Sequence, residues 1–157
     1  MAEQVLRVYA DTSVFGGVFD REFATQSKRF VDQVRQGRFR LVVSPLVRNE
    51  LRRAPEHVRE VWRDLLGDAE SVQISAEAVR LQAAYLAAGI VGPAYSDDAL
   101  HVAIATVTGC SAIVSWNFRH HVHMDKIPLY NEVNRAHGYG DLAIHSPSEV
   151  VEYDDEA

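Results

Sequence analysis

The chain has 157 residues, of which 47% are hydrophobic and 24% are charged, and its formal net charge is −6 at pH 7. This composition is typical of one globular domain with a substantial core, and we predict a single domain over residues 1–153 followed by an acidic tail at 154–157. No apolar run approaches the roughly 20 residues of a membrane span, and the first ten residues lack the form of a signal peptide. We therefore expect a cytoplasmic protein without membrane association.

The charge is unevenly distributed along the chain. Residues 28–63 carry ten basic and four acidic side chains, whereas residues 64–157 carry four basic and fourteen acidic ones. Nearly all of the positive charge is arginine, whose planar guanidinium donates two parallel hydrogen bonds to a phosphate. We hypothesise that the basic segment contacts a polyanion, although a solvated helical surface or a contact site for an acidic protein explains the same pattern.

Cysteine usage excludes two further classes. Cys110 is the only cysteine, so the chain has neither an internal disulfide framework nor a cysteine cluster for zinc. Because Cys110 directly precedes an apolar run, we predict that it is a small buried residue.

Strand and helix patterns alternate along the chain, without repeats or low-complexity linkers. Five strands are predicted, at residues 5–10, 39–44, 72–74, 112–115 and 142–145. Helices are predicted at residues 14–19, 22–35, 45–51, 55–66, 75–88, 96–108, 129–135 and 146–153. This alternation favours a parallel sheet that is covered by helices on both faces.

The helix predicted from residue 96 begins with two carboxylates and continues as nearly uninterrupted apolar surface, in the sequence SDDALHVAIA. We predict that Ser96 is its N-cap and that Asp97 and Asp98 lie at the positive end of the helix dipole. The apolar remainder predicts a helix packed on more than one side. The two acids are then either simple dipole partners or, at the rim of a cleft, part of a site.

Three acids and one amide are predicted to share the same edge of the sheet. Asp11 follows the first strand, Glu50 lies in the helix after the second, Asp98 opens the apolar helix, and Asn117 follows a later strand. Ligands bind at the carboxyl edge of open parallel sheets. Carboxylates that are crowded together without a lysine favour a hard divalent cation such as Mg²⁺ or Mn²⁺, and such a site is suited to phosphoryl chemistry.

Four segments of the sequence resemble the PIN-domain nucleases, whose largest bacterial group is the VapC-like toxins of type II toxin–antitoxin pairs. The segments are YADTSVFGG, VVSPLVRNEL, SDDALHVAIA and AIVSWNFRHH. The first three match the family at its acids Asp11, Glu50 and Asp98. In the fourth, Asn117 stands where the family usually has an acid, and Asp97 is an additional neighbour of Asp98.

The resemblance implies a three-layer α/β/α fold, Mg²⁺- or Mn²⁺-dependent endoribonuclease activity, frequent homodimers and, for a toxin, a cognate antitoxin partner. It implies catalytic roles for Asp11, Glu50, Asp98 and Asn117. The metal ligands would be Asp11, Glu50 and Asp98, with Asp97 in support. Asn117 can coordinate through its carbonyl but adds no negative charge, so we expect either lower metal affinity or compensation by Asp97.

Other polar residues near these segments could contact the RNA substrate. Thr12, Ser13 and Ser115 could orient water or the scissile phosphate, or could serve only as helix caps. Arg119 is the arginine predicted to contact phosphate beside the site, and Arg48 and Arg52 belong to a wider basic track.

Histidines and aromatic residues near the site allow two interpretations each. We predict that His101 is a hydrogen-bonded interior residue rather than a substrate contact, and that His120, His121 and His123 are not a zinc site. Trp116 and Phe118 could stack on RNA bases, but core packing is the simpler expectation.

Two other functions compete with the nuclease. A non-catalytic RNA- or protein-binding module could retain the fold, with Asn117 as the sign of a weakened metal site. A phosphatase or phosphoacceptor domain would have a similar layered architecture, but Ser13 stands where a phosphatase needs a second aspartate.

Overall fold

The computed structural model describes residues 5–151, which form a five-stranded parallel sheet between two layers of helices. The strands are β1 (Leu6–Ala10), β2 (Phe39–Val43), β3 (Ala69–Ser71), β4 (Ala112–Val114) and β5 (Ala143–His145). The helices are α1 (Thr12–Gly17), α2 (Ala24–Arg35), α3 (Pro45–Leu51), α4 (Glu56–Leu65), α5 (Ala76–Ala87), α6 (Ser96–Val107), α7 (Lys126–Ala136) and α8 (Pro147–Val150).

The strand order is β3-β2-β1-β4-β5, with every neighbouring pair parallel. The chain moves outward from β1 through β2 to β3, then crosses back to β4 on the other side of β1 and continues to β5. The strand order therefore reverses between β1 and β4, and the carboxyl ends at such a reversal form the crevice in which open α/β sheets bind ligands.

Helices cover both faces of the sheet. On one face α2 packs against α4 and α8, and on the other α5 packs against α6 and α7. Eight of the 12 residues of α6 are buried, which confirms that this helix is packed on more than one side. The predicted α/β/α class and the parallel sheet are also confirmed, and Cys110 is buried as expected.

Local sequence explains where several helices begin. Asp11 and Ser44 directly follow β1 and β2, adopt extended backbone, and accept hydrogen bonds from the first turns of α1 and α3. Ser75 caps α5 in the same way, and Ser146 forms a capping box with Glu149 at α8.

Two local predictions are wrong. The third strand lies at residues 69–71 rather than 72–74: its partner β2 ends at Val43, and the last ladder bond runs from the Val72 amide to the Val43 carbonyl, at 2.9 Å. Ser96 is not an N-cap, because a 3₁₀ turn over Pro93–Tyr95 leads directly into α6 and gives Ser96 a helical backbone. An N-cap needs an extended one.

The C-terminal predictions extend past residue 151. Helix α8 ends at Val150. The predicted domain boundary at residue 153 and the predicted acidic tail at 154–157 lie outside the described residues. Within residues 5–151, no helix combines the length and the apolar composition needed to cross a bilayer.

Candidate active site

Asp11 lies at the carboxyl end of β1, beside the crevice between β1 and β4, and is buried. One of its carboxylate oxygens accepts from the Ser13 amide at 3.1 Å and the Ser13 hydroxyl at 2.5 Å. The other accepts from the Ser115 hydroxyl at 2.6 Å and lies 3.0 Å from Nδ1 of His121. Four hydrogen bonds fill the four lone-pair positions of this carboxylate.

His121 is fully buried between Asp11 and α6. Its Nδ1 faces the Asp11 carboxylate, and its Nε2 lies 2.8 Å from the backbone carbonyl of Asp98. Both ring nitrogens face acceptors, so both carry hydrogen and the ring is an imidazolium. Burial opposes this charge, but the hydrogen bond and charge of Asp11, aided by the Asp98 carbonyl, raise the pKa of His121.

The same pair explains why Asp11 is ionised in a buried position. Burial raises the pKa of its carboxyl, but the hydrogen bond and charge of His121, the charge of His101 and the Ser115 hydroxyl outweigh burial and hold that pKa below its usual value. Asp11 and His121 thus form a buried ion pair.

Glu50 projects from α3, and one of its oxygens accepts from Thr12 at 2.5 Å and from Nε2 of His101 at 2.7 Å. Burial raises the pKa of Glu50, but the hydrogen bond and charge of His101, together with the Thr12 hydroxyl, lower it overall. The carboxylate of Glu50 is therefore held ionised beside Asp11.

A buried chain of hydrogen bonds fixes His101 on the side of its ring that faces away from Glu50. Nδ1 of His101 lies 2.7 Å from the Tyr9 hydroxyl, which lies 2.8 Å from the Ser44 hydroxyl. Burial raises the pKa of Tyr9, which keeps its phenol protonated. Because Ser44 also caps α3, the chain returns to the helix that carries Glu50. His101 is thus the hydrogen-bonded interior residue that the sequence predicts.

Asp98 pairs with His120 rather than with the other two acids. Its carboxylate accepts from Nδ1 of His120 at 2.6 Å, and the His120 ring packs against Tyr95 at 4.2 Å between centroids. The Arg119 guanidinium lies over the same Tyr95 ring, 5.1 Å from its centroid. Asp97, the adjacent acid, is exposed.

Asn117 organises the loop that supplies these histidines. Its side-chain oxygen accepts from the backbone amides of Arg119 at 3.1 Å and His120 at 2.8 Å, and its backbone amide donates to the Ser115 hydroxyl at 2.9 Å. The carbonyl predicted to assist a metal ion therefore stabilises the turn after β4.

The structure brings Asp11, Glu50 and Asp98 to one edge of the sheet and pairs each with a histidine. This pairing was not predicted from the sequence. The one sequence feature that points to it is the presence of histidines in or beside the predicted site segments, at position 101 and at 120 and 121. Two of the three histidines sit in an irregular loop, where no periodicity indicates the direction of a side chain.

The carboxylates of Asp11, Glu50 and Asp98 are of the right chemical type for a hard cation, since carboxylate oxygens are the ligands that Mg²⁺ prefers. Glu50 and Asp98 each keep one oxygen that accepts from no described residue. The arrangement is different from an assembled metal centre: within residues 5–151, no group of three or more His, Cys, Asp or Glu side chains is arranged to hold a metal ion. A cation would bind here by replacing hydrogen bonds that Asp11 now accepts.

The predicted substrate contacts divide into two groups. Thr12, Ser13 and Ser115 use their hydroxyls to hold the acids, while Arg48, Arg52 and Arg119 are exposed. Trp116 is buried and stacks on Phe23 with 4.2 Å between centroids. The expectation of core packing is wrong for Phe118, which is 48% exposed because the turn at Asn117 carries it outward.

This fold and site define a class: a doubly wound parallel α/β domain with a carboxylate site at its topological switch point. The chain belongs to the PIN domain family, whose model matches residues 8–124. PIN domains are generally nucleases that typically use divalent metal ions, so membership supports hydrolysis of nucleic acid as the class of reaction.

Solved structures show the same fold. VapBC2 from Rickettsia felis, bound to a DNA fragment from its promoter, matches at 14% identity with a TM-score of 0.53, over 73% of this chain and 90% of that chain. DNA-bound VapBC from Salmonella typhimurium matches at 18% identity with a TM-score of 0.56, over 91% of this chain and 99% of that chain. A comparison with curated protein sequences finds no match.

Proposed function

We propose that this protein is an endoribonuclease that hydrolyses RNA phosphodiester bonds and acts as the toxin of a toxin–antitoxin pair. The observation that carries the proposal is the convergence of Asp11, Glu50 and Asp98, from three separate elements, beside the crevice between β1 and β4. Open α/β sheets bind ligands at the carboxyl ends of their strands, so these acids are placed where a cation or a substrate would bind.

In this proposal the hydroxyl and imidazole groups hold the acids in place. Ser13 and Ser115 fix the Asp11 carboxylate, and Thr12 and His101 fix that of Glu50. Asn117 positions the loop that carries His120 to Asp98. Preorganised groups of this kind need no reorganisation at the moment of reaction.

The proposal includes a requirement for Mg²⁺ or Mn²⁺. Asp11, Glu50 and Asp98 would hold the cation, with Asp97 and Asn117 beside them, and the cation supplies neutralising charge and polarises a phosphate oxygen. The exposed guanidinium groups of Arg119, Arg48 and Arg52 would bind the phosphates that flank the cleaved bond.

An antitoxin partner, a homodimer and a cytoplasmic location complete the proposal. The two solved neighbours are described as VapBC complexes on DNA, which supports a partner protein that masks the site of this chain. Masking by a partner accounts for how a cell would tolerate an RNA-cleaving protein.

The test is cleavage of a labelled RNA by wild-type protein and by Asp98→Asn, each with Mg²⁺, with Mn²⁺ and with EDTA. We expect cleavage only with wild type and a cation, and circular dichroism should show that the variant is folded. Asp68→Asn is the matched control, because Asp68 is exposed at the amino end of β3, on the opposite edge of the sheet. Equal residual cleavage by wild type and Asp98→Asn would refute the proposal.

A non-catalytic RNA- or protein-binding module is the second candidate, and one observation favours it. All four lone-pair positions of Asp11 are occupied by Ser13, Ser115 and His121. Calorimetry with Mn²⁺ separates the two candidates, because the module predicts no saturable binding of the cation.

A further inference from the structure

A pocket of about 310 Å³ opens at the carboxyl ends of β2 and β3, on the same edge of the sheet as the acids. Its wall includes Ser44 and Arg48 from the start of α3, Trp62 from α4, and Ser71 and Gln73 from the end of β3. Its volume lies at the lower end of the roughly 300–1,000 Å³ that small-molecule sites occupy. None of the predicted metal ligands lines it.

Several polar groups around this pocket pair with no other residue within 5–151. The side chains of Arg48, Ser71 and Gln73 are exposed and form no hydrogen bond or ion pair with another described residue. The indole N–H of Trp62 likewise donates to no described residue, although the Trp62 side chain is largely buried. The pocket thus offers donors and acceptors together beside an aromatic wall.

A second depression of about 180 Å³ shares Arg48 and Trp62 with the pocket and lies between α3 and α4. Arginine supplies most of its lining, which consists of Arg48, Leu51, Arg52, Arg59, Trp62 and Arg63. Glu56 pairs with both Arg59 and Arg63, but Nε of Arg59 is buried there without a hydrogen-bond partner. The guanidinium groups of Arg48 and Arg52 are exposed and pair with no described acid, so they favour an anion in this depression.

The pocket is separate from the acids but adjoins them. Ser44 lines it and is joined to Glu50 by successive hydrogen bonds through Tyr9 and His101. Arg48 and Glu50 lie two residues apart on α3, and helix residues at that spacing face different sides of the helix, so the pocket is a place distinct from the acids.

We propose that the pocket and the arginine depression form one nucleotide subsite for RNA, with the base in the pocket and its phosphate at the arginines. The inference rests on the proposed function and adds a specificity determinant to it. The mixed donors and acceptors beside the Trp62 ring favour a base over an acidic peptide, because a base is itself a flat aromatic ring with donors and acceptors on its edge. The Gln73 side chain can pair with the edge of adenine, so it selects the base, while Arg48 supplies affinity.

The experiment measures binding of fluorescent oligoribonucleotides of uniform sequence, oligo-A, oligo-U and oligo-C, in EDTA so that no cleavage occurs. We expect Arg48→Ala to weaken binding of all three by roughly tenfold, and Gln73→Ala to weaken oligo-A more than the others. The matched control is Arg53→Ala, which removes the same charge from an exposed arginine that lines neither depression. It should change binding by less than about twofold.

Equal losses in Arg48→Ala and Arg53→Ala would overturn the subsite, because bulk charge would then explain binding. A glutamate-rich peptide that displaces the oligonucleotides, with no base-dependent effect of Gln73→Ala, would overturn it in favour of a protein-docking surface. Cleavage of RNA by wild type is measured in parallel. If wild type cleaves RNA but Arg48→Ala and Gln73→Ala bind the oligonucleotides as wild type does, the subsite alone is refuted. If binding depends on these two residues as expected but wild type does not cleave RNA, the subsite is supported and the nuclease is refuted.

Discussion

Replacement of Tyr9 by phenylalanine removes one oxygen atom from the interior, behind the site. The Tyr9 hydroxyl lies 2.7 Å from Nδ1 of His101 and 2.8 Å from the Ser44 hydroxyl, and both of these contacts are buried. In Tyr9→Phe the ring volume is retained, but Nδ1 of His101 loses its partner. Ser44 keeps only its bond from the Val47 amide, at 3.5 Å.

The expected cost follows from these two losses. A buried polar group that is left unsatisfied costs about 1–3 kcal/mol, and a second lost hydrogen bond adds about 1 kcal/mol or less. We therefore expect Tyr9→Phe to lower the free energy of unfolding by about 1–4 kcal/mol, which lowers Tm by about 2–16 °C for a chain of this length. RNA cleavage should also fall, because His101 no longer holds Glu50 in one orientation.

The assay is urea unfolding followed by circular dichroism. Tyr139→Phe is the matched control, because the Tyr139 hydroxyl forms no hydrogen bond with another described residue; its effect should stay within about 0.5 kcal/mol. If Tyr9→Phe and Tyr139→Phe have the same free energy of unfolding, the buried chain of hydrogen bonds does not stabilise the fold and the prediction is wrong.

The buried ion pair predicts how stability depends on pH. The pKa of Asp11 is lowered in the folded protein, so Asp11 stabilises the fold at pH values above about 3.9, its usual pKa, and this stability is lost in more acidic solution. The pKa of His121 is raised, so His121 stabilises the fold at pH values below about 6.5, its usual pKa, and this stability is lost as the pH rises through the raised value. The free energy of unfolding, measured with urea, should therefore fall more steeply above a pH of about 6.5 in wild type than in His121→Gln. Parallel pH profiles of the two proteins would contradict the ion pair. A Cβ at Gly17 would lie 2.5 Å from the Ser27 hydroxyl and 2.7 Å from the Trp116 indole nitrogen, whereas nothing lies within 4 Å of one at Gly16. Thermal unfolding should show a loss of about 1–3 kcal/mol for Gly17→Ala and none for Gly16→Ala, and equal Tm values would show that Trp116 shifts freely.

The sequence predicts those parts of the fold that depend on local patterns. The strand predicted at residues 39–44 and the helix predicted from Pro45 follow from an apolar run and a proline in succession, and the structure has them at Phe39–Val43 and Pro45–Leu51. The apolar signal at residues 72–74 failed because pairing is decided by where the partner strand ends, which is a property of the tertiary structure. An edge strand can also be polar, as Glu70 is.

The same distinction separates the two halves of the candidate site. Asp11, Glu50 and Asp98 could be placed from the alternation of elements, since parallel strands deliver their carboxyl ends to one edge. The histidine partners of these acids could not be predicted in this way. His120 and His121 lie in an irregular loop, and the acids with which they pair are 22 and 110 residues away in the sequence, so no local pattern indicates either pairing.

The pairing of β1 with β4 determines when this site can exist. Ala10 lies opposite Val114, and the Ser115 and His121 partners of Asp11 are 104 and 110 residues further along the chain. Contacts at such separations incur loop-closure entropy and form slowly. During synthesis on the ribosome, Asp11 leaves the exit tunnel long before the residues that hold it, so a nascent chain carries the acid without the site, and chemistry there must wait until β4 has docked.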